Sequence, residues 1–185
     1  MAPSVDVILE ELRAMVALPR GVVARTDWVD VQVALGVELP TDYRCLVDEF
    51  GGGYIDEYLY LLEPQRRNPY YDLGEAGSER IAALEYLWDR GEERPEELVG
   101  TGARVYPWAT TDNGEVLFWL MKPETPPDEW IVMVNEARGP EWERFEVGCL
   151  EFLTGVLNGR ITSEILSSLF PTSPHTFEPI PALKT

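Results

Sequence analysis

His175 is the single histidine of the 185-residue chain, and it lies in a proline-rich C-terminal stretch. A Ser-His-Asp or Cys-His pair needs an imidazole held rigidly against its nucleophile. The sequence offers no such support around His175, so nucleophilic catalysis is not expected. Cys45 and Cys149 have no C-x-x-C neighbour and no nearby histidine, which argues against a zinc site. Gly51-Gly52-Gly53 lacks the Gly-Lys-Ser/Thr of a phosphate loop and opens no helix. Asp112-x-Gly114 could begin a calcium loop, but Leu117, Trp119 and Met121 occupy the later ligand positions. Carboxylates adjoin at Asp48-Glu49, Asp56-Glu57, Glu92-Glu93 and Glu96-Glu97. Glycosidase chemistry needs two carboxyls across a cleft, and adjacency along the chain does not supply that. No catalytic residue, cofactor or metal is therefore assigned.

The charge balance is more informative. Thirty-three acidic residues against 15 basic ones give a net charge of −18. Such a surface repels nucleic-acid phosphates and anionic lipid. It attracts a basic partner and speeds the encounter, although acidity also serves plain solubility. The aromatic residues divide in two. Trp28, Tyr43, Phe50, Trp88, Phe118 and Phe152 fall on apolar stripes and are expected in the core. Tyr54, Tyr58, Tyr70, Tyr71, Trp108 and Trp142 fall near turns, loops or strand ends. Aromatics mixed with acids in such places have the composition of a protein interface.

These residues must be positioned by local elements. Helical spacing is seen over 4–18 (Val5, Ile8, Leu9, Leu12), with Ser4 as cap, and over 27–35, with Thr26 as cap. A third helix starts at Thr41 after Leu39-Pro40 and stops at the triple glycine. Residues 58–62 read as a strand, 64–77 as a loop, and a helix follows from Ser78. Residues 91–102 read as an exposed connection. Runs at 104–111 and 115–121 flank Asn113-Gly114, a strong hairpin signal. Further strands are expected at 130–135 and 143–147, and helices at 149–157 and 162–170. The pattern predicts one α+β domain over 1–170, with an antiparallel or mixed sheet of about four to six strands and helices packed from both ends of the sequence. Residues 171–185 are expected to form a loosely ordered tail. Both cysteines lie in apolar stretches and read as buried free thiols, which favours a reducing compartment. With no basic, apolar leader at the N-terminus and no apolar run long enough to span a bilayer, a cytoplasmic setting without membrane contact is expected.

Trp28, Leu35-Gly36, Leu39-Pro40-x-Asp42-Tyr43 and Phe50-Gly51-Gly52-Gly53 together resemble the SUKH (Smi/Knr-like) superfamily. Tyr106-Pro107-Trp108-Ala109 with Asp112-x-Gly114 is similar to that superfamily's central hairpin, and the resemblance spans roughly residues 25–160. It implies a SUKH-like fold that binds other proteins. Many bacterial members are immunity proteins that occlude the active sites of toxins, often nucleases or deaminases. Others are regulatory or scaffolding modules. On the immunity reading, an acidic surface docks a basic toxin domain and no nucleic acid. The residues expected on that face are Asp56, Glu57, Tyr70, Tyr71, Asp72, Glu75, Trp108 and Asp112. The motif itself is architectural, because its residues shape turns and core and place no reacting atom.

Overall fold

The computed structural model describes residues 3–18 and 23–180. In these lie α1 (Val5–Met15), α2 (Trp28–Leu35), α3 (Thr41–Phe50), β1 (Gly53–Ile55), β2 (Leu59–Leu61), α4 (Leu73–Asp89), β3 (Arg104–Thr111), β4 (Val116–Met121), β5 (Ile131–Asn135), β6 (Trp142–Phe145), α5 (Cys149–Leu157) and β7 (Phe177–Pro179). The strands form one sheet in the order β6-β5-β4-β3-β2-β1-β7, with every pair antiparallel. The α+β class is as expected. The sheet has seven strands among the described residues, one more than the upper expectation, because β1 and β7 are three-residue strands too short to show alternation.

Alternation divides the other strands between two layers. Leu59, Leu61, Leu117, Trp119, Val132 and Val134 point inward to the main core, with Ile8, Leu9 and Leu12 of α1 and Leu150, Phe152 and Leu153 of α5. Phe118, Leu120 and Met133 point outward and pack with Leu84 of α4 and Leu98. The family-like motif sits at the centre of the inner layer. Tyr43 is fully buried, meets Trp119 edge-on at 4.9 Å, and donates its hydroxyl to Leu62 O at 2.6 Å. Trp28 meets Tyr43 edge-on and donates its indole N–H to Asp48 at 2.9 Å. Burying a side chain of this size contributes about 2–3 kcal/mol, so the motif anchors α2 and α3 to the sheet.

Local chemistry accounts for the remaining differences from the sequence reading. Asp27, not the buried Thr26, caps α2 by accepting from Val29 N and Asp30 N. The side chain of Ser4 makes no cap hydrogen bond. Helix α4 begins at Leu73, five residues before the expected Ser78, because Asp72 caps it by accepting from Gly74 N and Glu75 N at 2.9 Å. Gly74 and Gly77 make that first turn look like a loop. Gly77 is required by packing, since a Cβ there would lie 2.6 Å from the Tyr106 hydroxyl oxygen. Residues 162–170 form turns and no helix. There the carboxylate of Glu143 accepts from Ser163 and Glu164, and Ser163 Oγ accepts from Ile165 N and Leu166 N. The connection 91–102 is largely exposed, but it carries a short 3-10 turn, Glu96–Leu98, that buries Leu98. Cys149 is buried as expected, whereas Cys45 is only half-buried.

The C-terminal segment departs furthest from expectation. Residues 171–180 run against the sheet, and β7 pairs with β1 through Gly53–Pro179, Tyr54–Glu178 and Ile55–Phe177. The Asp56 carboxylate, wholly buried, accepts from Thr172 N at 3.0 Å and Thr176 N at 2.7 Å, with His175 Nδ1 2.8 Å away. Proline content alone suggested a loose tail. The carboxylate that holds it lies more than a hundred residues earlier in the sequence. Residues 181–185 of the expected tail lie outside the described residues.

Candidate functional site

The outer face of the sheet is covered by α4 over only part of its width. At the β7-β1-β2 end it carries tyrosines. Tyr54 and Tyr60 are directly paired across β1 and β2, and their partners in the flanking strands are Glu178 and Thr110. Their rings are 5.4 Å apart, and Tyr60 stacks on Tyr71, from the loop before α4, at 5.1 Å. Three half-buried rings thus form one continuous surface.

Acidic groups border it. Tyr54 donates to Glu178 at 2.7 Å, and Tyr60 lies 3.4 Å from Asp112. Hydrogen bonding to Glu178 pushes the Tyr54 phenol above its usual value, and partial burial beside Tyr71 does the same for Tyr60. Both rings therefore remain neutral hydrogen-bond donors at physiological pH. The tight turn between β1 and β2 holds Asp56 at φ +52° and Glu57 at φ +55°. Residues paired at positive φ suit the twist of a hairpin, and here they send Asp56 inward and leave Glu57 exposed.

Two clefts open on this surface and share Tyr60 and Tyr71. One, of about 450 Å3, is bounded by Tyr70, Arg80 and Asp112; the other, of about 390 Å3, by Tyr54, Glu57 and Asn68. Arg80 is the exception in an acidic setting. Its Nε is buried without a partner among the described residues, and burial lowers its pKa.

The expected site residues separate accordingly. Glu57, Tyr70, Tyr71 and Asp112 come together around the two clefts. Glu75 is exposed in the first turn of α4 but lines neither. Three residues require correction. Asp56 is buried as the anchor of the C-terminal segment, and Asp72 is buried as the cap of α4, where it also accepts from Arg66 N. Trp108 has no exposed surface at all. The register of β3 against β4 shifts between Pro107 and Ala109, and this bulge turns Trp108 into the main core, edge-on to Phe152. Tyr54, Tyr60, Glu178 and Arg80 were not among the expected site residues. The alternation Leu59-Tyr60-Leu61 was the available signal for Tyr60, since it sets the tyrosine opposite two core leucines.

An antiparallel α+β domain with an aromatic, acid-bordered sheet face has the features of a binding domain. A family model described as SMI1-KNR4 cell-wall, of the SUKH group, matches residues 25–153. The chain belongs to this family, and the match runs from just before α2 into α5, covering Tyr54, Tyr60, Tyr71 and Asp112 but not β7. Membership is consistent with a non-catalytic, immunity-type protein-binding domain. No curated protein and no solved structure matches the chain. Among the described residues, no helix is long and apolar enough to cross a membrane.

Proposed function

We propose that this chain is an immunity-type protein that binds a basic toxin domain of the nuclease or deaminase class and occludes its active site. The observation that carries the reading is the Tyr54-Tyr60-Tyr71 surface set among Glu57, Asp112 and Glu178. Tyrosines give large contact area with few torsions to freeze and are enriched among residues that dominate binding energy. The net charge of −18 favours encounter with a positive surface. In this reading carboxylates set the association rate, and the rings set the dissociation rate.

The test is to isolate the partner from the source cell, identify it by mass spectrometry, and measure binding with purified components. Glu57→Lys with Asp112→Lys should slow association by about tenfold or more at low salt, with little change in dissociation. Tyr60→Ala and Tyr71→Ala should each accelerate dissociation by roughly thirtyfold, as expected for a residue contributing about 2 kcal/mol. A partner bound with full affinity by all three variants would show that another surface is used. A basic partner without toxic activity, engaged through the same rings, would assign the chain to the regulatory or scaffolding branch.

A further inference from the structure

Among the described residues three arginines are half-buried: Arg44, Arg66 and Arg80. Two of them have carboxylate partners. Arg44 lies 3.4 Å from Glu38, and Arg66 lies 2.7 Å from Glu63. Arg80 has no ion pair among the described residues. Its Nε is covered by protein, so the cleft of about 450 Å3 that Arg80 lines is reached by the two terminal nitrogens, which keep accessible surface. Glu79, exposed beside it on α4, is the one carboxylate close enough to act on it, and the Tyr71 phenol is its other near neighbour. Asp112 lines the same cleft but lies by the Tyr60 hydroxyl, at 3.4 Å, and outside ion-pair range of Arg80.

Water solvates those terminal nitrogens while the cleft is open. A protein that covers the cleft removes that water. A guanidinium left there without an acceptor is an uncompensated buried charge, which is strongly unfavourable. The covering surface must therefore bring an acceptor. A carboxylate fits best, because it matches the planar fork of the guanidinium and neutralises it. The hydroxyls of Tyr60 and Tyr71 on the same wall can donate to it as well.

We propose that the cleft between Tyr60, Tyr71 and Arg80 receives an acidic side chain of the partner, so that one carboxylate from an otherwise basic surface pairs with Arg80. The inference rests on the docking reading and refines it. Charge complementarity is reversed at one point of the face, and that point fixes the register. A basic surface slid across the acidic rim would strand both the guanidinium and the inserted carboxylate.

Arg80→Met keeps the aliphatic stem and removes the charge. It leaves the chain one unit more negative than −18, so steering alone predicts equal or tighter binding to a basic partner. The inserted carboxylate predicts the opposite: dissociation from the isolated partner should accelerate by about thirtyfold or more, and Arg80→Lys should recover part of the loss. Exchanging the partner's Asp and Glu residues for Asn and Gln one at a time should expose one whose loss is large against wild type and small against Arg80→Met. Unchanged or tighter binding by Arg80→Met, or no partner acid coupled to Arg80, would overturn the inference. If Tyr60→Ala and Tyr71→Ala still lose affinity in that case, the docking reading survives it. N-acetylglutamate amide is the probe without the partner. It should shift the backbone amides of Arg80 and Tyr71 saturably in 15N-labelled protein, N-acetylglutamine amide should not, and Arg80→Met should abolish the response. An equal response to the two probes would overturn the inference on this chain alone.

Discussion

Asp56 offers the sharpest test of how the C-terminal segment is held. Its buried carboxylate faces three donors from residues 172–176, at 2.7 to 3.0 Å. A hydrogen bond to a charged group is worth about 1.5–3 kcal/mol. Three such bonds at the low end would sum above 4 kcal/mol, but the donors can regain water if the segment detaches, which limits the loss. Asp56→Gly removes the carboxylate while accepting φ +52°, and it should cost about 3 kcal/mol, within the range for breaking a buried polar pair. Asp56→Ala should cost roughly 1 kcal/mol more, from a side chain forced into left-handed backbone. Asp56→Asn keeps an acceptor and tolerates that backbone, so it should fall between wild type and Asp56→Gly. Urea denaturation gives the free energies. A 3 kcal/mol loss corresponds to a Tm lower by about 6–12 °C in a chain of this size. Hydrogen exchange at Ile180, whose N–H donates to Gly52 O, should accelerate in step. Glu57→Ala, one residue on and exposed, should stay within about 0.5 kcal/mol of wild type. If Asp56→Gly loses less than about 1 kcal/mol and exchange at Ile180 is unchanged, the carboxylate does not hold the segment.

Three further outcomes are expected. Gly53→Ala should destabilise by about 1–3 kcal/mol and release β7, because a Cβ there would strike the Phe177 ring and lie 2.6 Å from Glu178 O; hydrogen exchange at Glu178 and Ile180 reads the release. Burial pushes the Cys149 thiol far above its usual pKa, and burial followed by Asp48 raises that of Cys45. Native protein at about pH 8 should then leave Cys149 unlabelled and label Cys45 slowly, while both react fully in denaturant; rapid native labelling of Cys149 would contradict its placement. Burial also raises the Asp42 carboxyl above its unfolded value of 3.8, partly offset by the hydrogen bond from Leu150 N. Its contribution to stability is complete below that value and is lost as pH rises through the folded-state pKa. Asp42→Asn should therefore flatten the stability profile on the acid side, as measured by urea midpoints across that range.

The elements that could be read from sequence were those with enough residues to show a period. Tyr43, Leu46, Val47 and Phe50 mark α3, and all four are buried. Asn113-Gly114 marks the β3–β4 turn, where Gly114 takes φ +101°. What could not be read depended on distant partners or on broken alternation. Asp56 and Asp72 look like surface acids until the backbone donors that face them are known. Counting by twos from Thr110 sets Trp108 on the outer face, and only the bulge reverses that. The proposed docking face was half legible: Glu57, Tyr70, Tyr71 and Asp112 stood out near turns, whereas Tyr54 and Glu178 meet only because β7 closes on β1.

The two borders of the sheet restrict how another protein can attach. One border, β7, is three residues long and ends in Pro179, which has no N–H to offer. The other, β6, is four residues long and carries Glu143 and Arg144. Short, charged or proline-bearing rims do not template an incoming strand. Recognition through shared main-chain ladders is thereby disfavoured, and a partner of the kind proposed would be read by side chains presented broadside. Its selectivity should follow residue identity at the contact and be indifferent to whether the visitor can extend.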